Sequence, residues 1–405
     1  MDIVKRYTLL YIFMNTGFIG NLLIVYYLSK GLTYAQIGIA TSILTVGFFL
    51  FEVPTGVVAD KMSRKLSVLV GFAINITAMI FLIFLRGFPM LLIYAIVASF
   101  GATFVSGSLQ AWLFDNLKHL GMEREYRSLM RDIKTLTIPL SALAIAIGGI
   151  LAQLYGFWLP LLLTLILEIA TLIVAYTIPE YEFKKPERSY LSHTLHSFKD
   201  ILQPQLFWLV VLSITVVMAT NQFRKFFEPY LGEILAKSLG TTLMGTLGLL
   251  GIVESIVKII PRLIGVRLRD SWSVKAYSLA PVVIPVLTAL SVVYQNPLWI
   301  IAIGIFVTVI HTAFSFNLGI EIQYRIPSEK RATILSVYSM VSALVMSVFY
   351  FIYGFAVDWL GLGEARLVFA IALLVAGIFL KAGEIVGPLG ETLRLRHAEA
   401  IPNER

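Results

Sequence analysis

Long, unbroken apolar runs alternate with short polar connections along the 405 residues of the chain. The runs cover approximately 7–29, 36–58, 67–86, 90–113, 135–155, 158–178, 206–227, 241–262, 276–294, 298–322, 333–356 and 366–388. Each approaches the ~20 largely apolar residues that an α-helix needs to cross a hydrocarbon layer. Apolar positions within a run are continuous and do not alternate, so the pattern predicts helices and not the strands of a barrel. The expected fold class is an all-α membrane protein with twelve transmembrane helices. The first run follows Lys5 and Arg6 and has no small-residue cleavage site after it, so it is expected to remain as a helix.

Composition strengthens this picture. The chain is 58% hydrophobic and only 14% charged, whereas a soluble domain carries about 25% charged residues. A water-soluble fold of this length would lack the charge to cover its surface, and lipid is the natural solvent for the excess. The chain has no cysteine, which excludes structural disulfides, thiol catalysis and cysteine-ligated metals.

The longest polar connection, Glu180–Gln203, divides the chain. It predicts an N-terminal six-helix bundle over 1–179, a linker over 180–203, a C-terminal six-helix bundle over 204–388 and a tail over 389–405. Within the linker Leu191, Leu195, Phe198 and Leu202 recur at helical spacing, opposite Ser192, His193, His196 and Lys199. That pattern predicts an amphipathic helix lying on the membrane surface. His193 and His196 have no third ligand nearby, so no metal site is expected.

Lysine and arginine set the orientation, because cytoplasmic loops carry the excess of both. Cytoplasmic termini leave only Lys30, Arg86, Arg224, Lys225, Lys237 and Arg366 outside, with Lys258 and Lys381 inside helices. A multi-pass protein of the cell (inner) membrane with both termini cytoplasmic is expected. The net charge of +8 is then a property of the inner loops, and no nucleic-acid partner is needed to explain it.

One loop carries a recognisable motif. Gly56-Val-Val-Ala-Asp60-Lys-Met-Ser-Arg64-Lys65 joins the second and third runs, and it resembles the G-x-x-x-D-(R/K)-x-G-(R/K)-(R/K) signature of the major facilitator superfamily. The preceding Phe51-Glu52-Val53-Pro54-Thr55 resembles the E-(V/I)-P-T-G opening of a drug-efflux-like branch. Ser63 departs from the glycine usual at its place. The resemblance implies the major facilitator fold, two six-helix bundles rocking about a central cavity. It also implies a conformational latch made of Gly56, Asp60, Arg64, Lys65 and Asp115. In that family Asp60 would meet the positive N-terminus of the eleventh helix, and Arg64 would pair with Asp115 at the end of the fourth. A second-half loop, Gly265-Val-Arg267-Leu-Arg269-Asp270, is a degenerate echo. The fourth run lacks the arginine of many proton antiporters and carries Ser99, Thr103, Ser106 and Gln110 instead. The fifth has Pro139 and Gly148-Gly149 without the full glycine–proline array of exporters.

Polar groups inside apolar runs are costly and therefore informative, at ~2.5–3.5 kcal/mol for a mid-bilayer charge on insertion scales. Glu52, Glu168, Glu254 and His311 are the candidate proton-coupling groups. Glu254 and Lys258 share one face at i, i+4, as an intrahelical pair would; Lys381 and Glu384 read as a similar structural pair. Thr164 and Thr171 flank Glu168, while Thr308, Thr312 and Ser315 accompany His311 in a polar stripe. In the family, helices one, four, seven and ten line the cavity. The candidate cavity residues are accordingly Tyr11, Asn15, Gln110, Asn221, Gln222, Thr308 and Thr312. Each could instead be ordinary interhelical hydrogen bonding.

Nothing points to an enzyme. The chain has no G-x-x-x-x-G-K-(S/T) loop, no H-E-x-x-H and no nucleophile elbow, and no cofactor is expected. The expected partners are a small-molecule substrate, protons as coupling ion and the lipid bilayer, with the protein working as a monomer. Proton-coupled export of amphipathic or drug-like compounds is the leading functional expectation. Uptake or facilitated exchange of a polar nutrient is the alternative, and a non-transporting membrane receptor a third.

Overall fold

The computed structural model describes the backbone of residues 3–61, 63–181, 204–265, 270–325 and 331–386. Within these stretches the side chains of 21, 53, 56–61, 127, 204–209, 262–265, 270–278, 316–325, 331–337 and 382–386 lie outside the description. So do the amphipathic linker helix expected over 191–202, the tail, most of the echo loop and the Lys381–Glu384 pair's acid.

Apolar composition favours helices wherever the bilayer can supply no backbone partner, and the described residues are helical almost throughout. The α-helices are α1 (Ile3–Asn15), α2 (Leu23–Ser29), α3 (Tyr34–Lys61), α4 (Arg64–Ile83), α5 (Phe88–His119), α6 (Tyr126–Tyr155) and α7 (Trp158–Thr177). They continue with α8 (Pro204–Lys225), α9 (Phe227–Leu239), α10 (Leu247–Gly265), α11 (Asp270–Val293), α12 (Pro297–Arg325), α13 (Arg331–Leu360) and α14 (Leu362–Val386). These helices occupy the twelve apolar runs; the first run contains both α1 and α2, and α9 follows the seventh.

Among the described residues, nine helices are long and apolar enough to cross a membrane. The other three runs fall short for identifiable reasons. The first is interrupted between α1 and α2. The seventh is divided at Phe226 and its beginning lies outside the described side chains. In the ninth the described apolar stretch is only Leu279–Val293. Aromatic residues exposed at helix ends fit a membrane interface: Tyr155, Trp158, Tyr294, Trp299 and Trp359 are all largely uncovered.

Two expectations about charge need correction. Arg366 belongs to no loop. Helix α14 begins at Leu362, directly after the turn at Gly361 (φ 94°), so Arg366 falls in the helix and is fully buried. Arg224 and Lys225 likewise stand at a helix–helix junction, because the seventh segment runs on through α9 to Leu239.

The chain forms two compact units that do not follow the sequence halves. The first comprises residues 1–190, 226–259 and 346–361. Here α4 packs on α5 and α7, α3 on α5, and α1 on α6 and α7. Its core gathers Tyr7, Leu10, Phe72, Leu109, Trp112 and Leu113, with Tyr7 edge-on to Trp112 at 5.6 Å. The second comprises 191–225, 260–345 and 362–405, in which α11 packs on α12 and α14, and α8 touches all three.

Candidate functional site

The signature loop is a tight helix–helix junction. Ser63 is extended (φ −172°) and caps α4 by accepting the Leu66 N–H at 2.9 Å. Extended backbone suits any residue, and serine is among the best N-caps, so the departure from glycine costs nothing in geometry. Arg64 forms an ion pair with Asp115 and donates to the Ala111 carbonyl at 3.1 Å. The fold thus brings together the two residues that the resemblance paired. Gly56 and Asp60 lie in the last turns of α3, but their side chains are outside the described residues.

Lys65 serves the end of α7. Its ammonium donates to the Tyr176 carbonyl at 2.9 Å and lies 5.5 Å from that residue's ring centre. The Lys65 N–H donates to the Glu180 carboxylate at 3.1 Å. Arg6 donates to the Thr177 carbonyl, and Asn116 and Trp112 donate to the Pro179 carbonyl at 2.7 and 3.2 Å. Cations at a helix C-terminus and an acid at an N-terminus are the arrangement that helix dipoles favour.

The second centre is the interruption of the first segment. Residues 16–19 leave the α-helix and a short 3-10 turn at Gly20–Leu22 restarts it. The Phe18 N–H is satisfied by the Thr164 hydroxyl at 3.0 Å. A side chain at Gly148 would collide with the Phe18 carbonyl, and one at Gly149 would lie 3.0 Å from the Gly251 Cα. The glycine pair therefore admits both the irregular backbone and α10. Gly20 has φ +48°, and a Cβ there would stand 2.7 Å from a Glu254 carboxylate oxygen. Glu254 is only 9% exposed. Next to it, the Ser255 hydroxyl binds the Ala142 and Gly251 carbonyls at 2.5 and 2.7 Å. Glu168, one turn beyond Thr164 on α7, has one buried carboxylate oxygen without a hydrogen-bond partner.

The remaining candidates are dispersed. Glu52, Gln110 and Asn15 are exposed, Asn15 bonding back to the Tyr11 carbonyl at 2.8 Å. Tyr11 is buried in the core of the first unit, its hydroxyl without a partner. In the second unit His311 Nε2 faces the Ser315 hydroxyl at 3.3 Å while its Nδ1 is buried and unpartnered. Thr308, Thr312 and Asn221 bond to carbonyls one turn back on their own helices. Gln222 is fully buried and donates to the Arg366 carbonyl at 2.9 Å. Arg366 lies 5.0 Å from the centre of the Phe223 ring. Sequence reasoning missed this arginine, and also Asp358, whose carboxylate accepts the Tyr34 and Ala35 N–H groups at 2.9 and 2.8 Å.

Comparison with known proteins decides the family. The profile of the Major Facilitator Superfamily matches residues 8–350. The chain belongs to the major facilitator superfamily. With its several apolar helices, membership marks it as a multi-pass membrane protein. An uncharacterised transporter of this type from Bacillus subtilis, YxaM, is 22% identical over 234 residues, 55% of this chain and 57% of that protein. One from Methanocaldococcus jannaschii is 26% identical over 166 residues, 40% of this chain and 41% of that protein. A transporter of Buchnera aphidicola, also uncharacterised, is 27% identical over 222 residues, 49% of this chain and 54% of that protein. The chain thus spans about half the length of the curated relatives it matches. Among solved structures, the nucleoside transporter NupG superposes with a TM-score of 0.74 at 14% identity, covering 94% of this chain and 99% of that one. A mutant form of NupG gives 0.77 at 16% identity, with 94% and 100% covered. At this identity the likeness establishes the major facilitator fold.

Proposed function

We propose that the protein is a proton-coupled secondary transporter that moves small solutes by alternating access. In this reading it is a monomer of the inner membrane, crossing twelve times with both termini in the cytoplasm. The observation that carries the proposal is Glu254, a buried carboxylate held against irregular backbone in the first membrane segment. Non-helical backbone at membrane depth is tolerated where it is covered by protein or lines a cavity, and interrupted helices mark substrate and ion sites in many transporters. A protonated carboxyl is far cheaper to keep dry than a carboxylate. Gaining or losing a proton at Glu254 would therefore bias the packing of α10 on the helix 1 break. Glu168, beyond Thr164 on the same break, is the second candidate.

The cargo favoured is amphipathic or drug-like and its direction outward, on the strength of the Glu52-Val-Pro-Thr-Gly opening. Uptake of a polar nutrient is the second reading, supported by the polar Thr308–His311–Thr312–Ser315 stripe on α12. Flux into proteoliposomes separates them. A panel of amphipathic cations and of polar metabolites, nucleosides included, is tested with and without an imposed pH gradient. Export predicts gradient-driven movement of the amphipathic compounds, lost in Glu254→Gln. Gradient-independent flux of every compound, or full retention of driven flux in Glu254→Gln, contradicts the coupling proposal.

A further inference from the structure

The glycine–aspartate spacing of Gly56-Val-Val-Ala-Asp60 recurs near the other end of the chain, in Gly354-Phe-Ala-Val-Asp358. Both stand at the C-terminal end of a long helix, one closing α13 and the other α3.

At the start of α3 the hydrogen-bond accounting is complete. Thr33 and Gln36 form a capping box, each side chain accepting the other's backbone N–H at 3.0 and 3.3 Å. The Ile37 N–H reaches the Thr33 carbonyl at 3.0 Å. That leaves the N–H groups of Tyr34 and Ala35, and one Asp358 oxygen accepts each, at 2.9 and 2.8 Å. A carboxylate on the positive end of a helix is a charge-assisted contact.

The contact continues along the pair as a zipper. A Cβ on Gly354 would lie 2.5 Å from the Tyr34 carbonyl and 3.0 Å from the Gly38 Cα. One turn further, the Ser42 hydroxyl donates to the Ser347 carbonyl at 2.6 Å and the Ser347 hydroxyl to the Ser42 carbonyl at 3.1 Å. Beside them Tyr34 meets Phe226 edge-on, and Phe226, Tyr353 and Phe349 stack in turn, with ring centres 4.9–5.4 Å apart. From Tyr34 to Ser42 the seam is about 12 Å long at the α-helical rise.

We infer that Asp358 is the carboxylate of a second latch, holding shut the end of the α3–α13 pair opposite the signature loop. This rests on the alternating-access reading above. Opening that end would break the two charge-assisted hydrogen bonds and leave the Tyr34 and Ala35 N–H groups to water, a contact that Asp358→Asn weakens without changing its size.

Spin labels test it at Lys30→Cys and Trp359→Cys, both exposed, in a chain with no native cysteine. Their distance distribution by double electron–electron resonance reports the closed and open states at this end. In Asp358→Asn the closed-to-open ratio should fall about fivefold, the scale of one charge on a helix terminus. Gly354→Val, which wedges the same seam, should lower it by a steric route. A ratio within twofold of wild type in Asp358→Asn, with Gly354→Val shifted, overturns the latch and leaves alternating access standing. A single short distance in every variant counts against both.

Discussion

Arg64 and Asp115 form an ion pair, yet at 28% and 30% side-chain exposure such a pair contributes little to stability, in the range ~0–1 kcal/mol. Its interest lies in position. Ser63 is the more instructive residue at this scale. Replacing the usual glycine, it supplies an N-cap oxygen. Ser63→Ala should cost about 1 kcal/mol and Ser63→Gly only a few tenths, measured as thermal unfolding in detergent. Equal losses for the two would show that the cap contributes nothing. Arg366 shows where residue-level reading fails. An arginine shortly after Gly-Leu-Gly looks like a loop charge, and only the start of α14 at Leu362 reveals that it is inside a helix. Buried charges need compensation, and no local pattern says where it comes from.

Helices themselves were nearly all legible, because twenty apolar residues in a row leave few other structures available. Interruptions were not. Residues 16–19 interrupt a run long enough to cross as one helix, and the Arg224-Lys225 pair beside Phe226 read as a loop and not as a junction between two helices. For the first of these the cause is tertiary: the Thr164 hydroxyl, Gly148 and Glu254 on other helices. Gly17 and Gly20 were the available signal. Two glycines separate the contributions. Gly31 has φ +76° with nothing within 4 Å of an added Cβ, whereas Gly20 has φ +48° and Glu254 in the way. Alanine at Gly31 should cost only the left-handed backbone penalty, about 1–2 kcal/mol, and leave flux intact. Alanine at Gly20 should cost more and disturb proton-driven flux. Identical behaviour of the two variants would detach Glu254 from the break.

At the scale of the whole molecule, hydropathy pointed to a multi-pass membrane protein, and one loop to its family. Hydropathy could not locate the compact units, which join residues 226–259 and 346–361 to the N-terminal helices. Such contacts depend on small side chains, such as Gly149 against Gly251 and Gly38 against Gly354, whose partners are roughly a hundred to three hundred residues away in sequence. Cargo was equally illegible, since the polar side chains Asn221, Thr308 and Thr312 are occupied by their own helices.

Proton movement in step with substrate is the most direct test of coupling through Glu254. Proteoliposomes loaded with a pH-sensitive dye report it when substrate is added outside without any imposed gradient. Wild-type protein should move protons opposite to the substrate, and Glu254→Gln should not. Substrate flux through the wild-type protein with an unchanged internal pH, or substrate-driven proton movement retained in Glu254→Gln, would contradict the proposal.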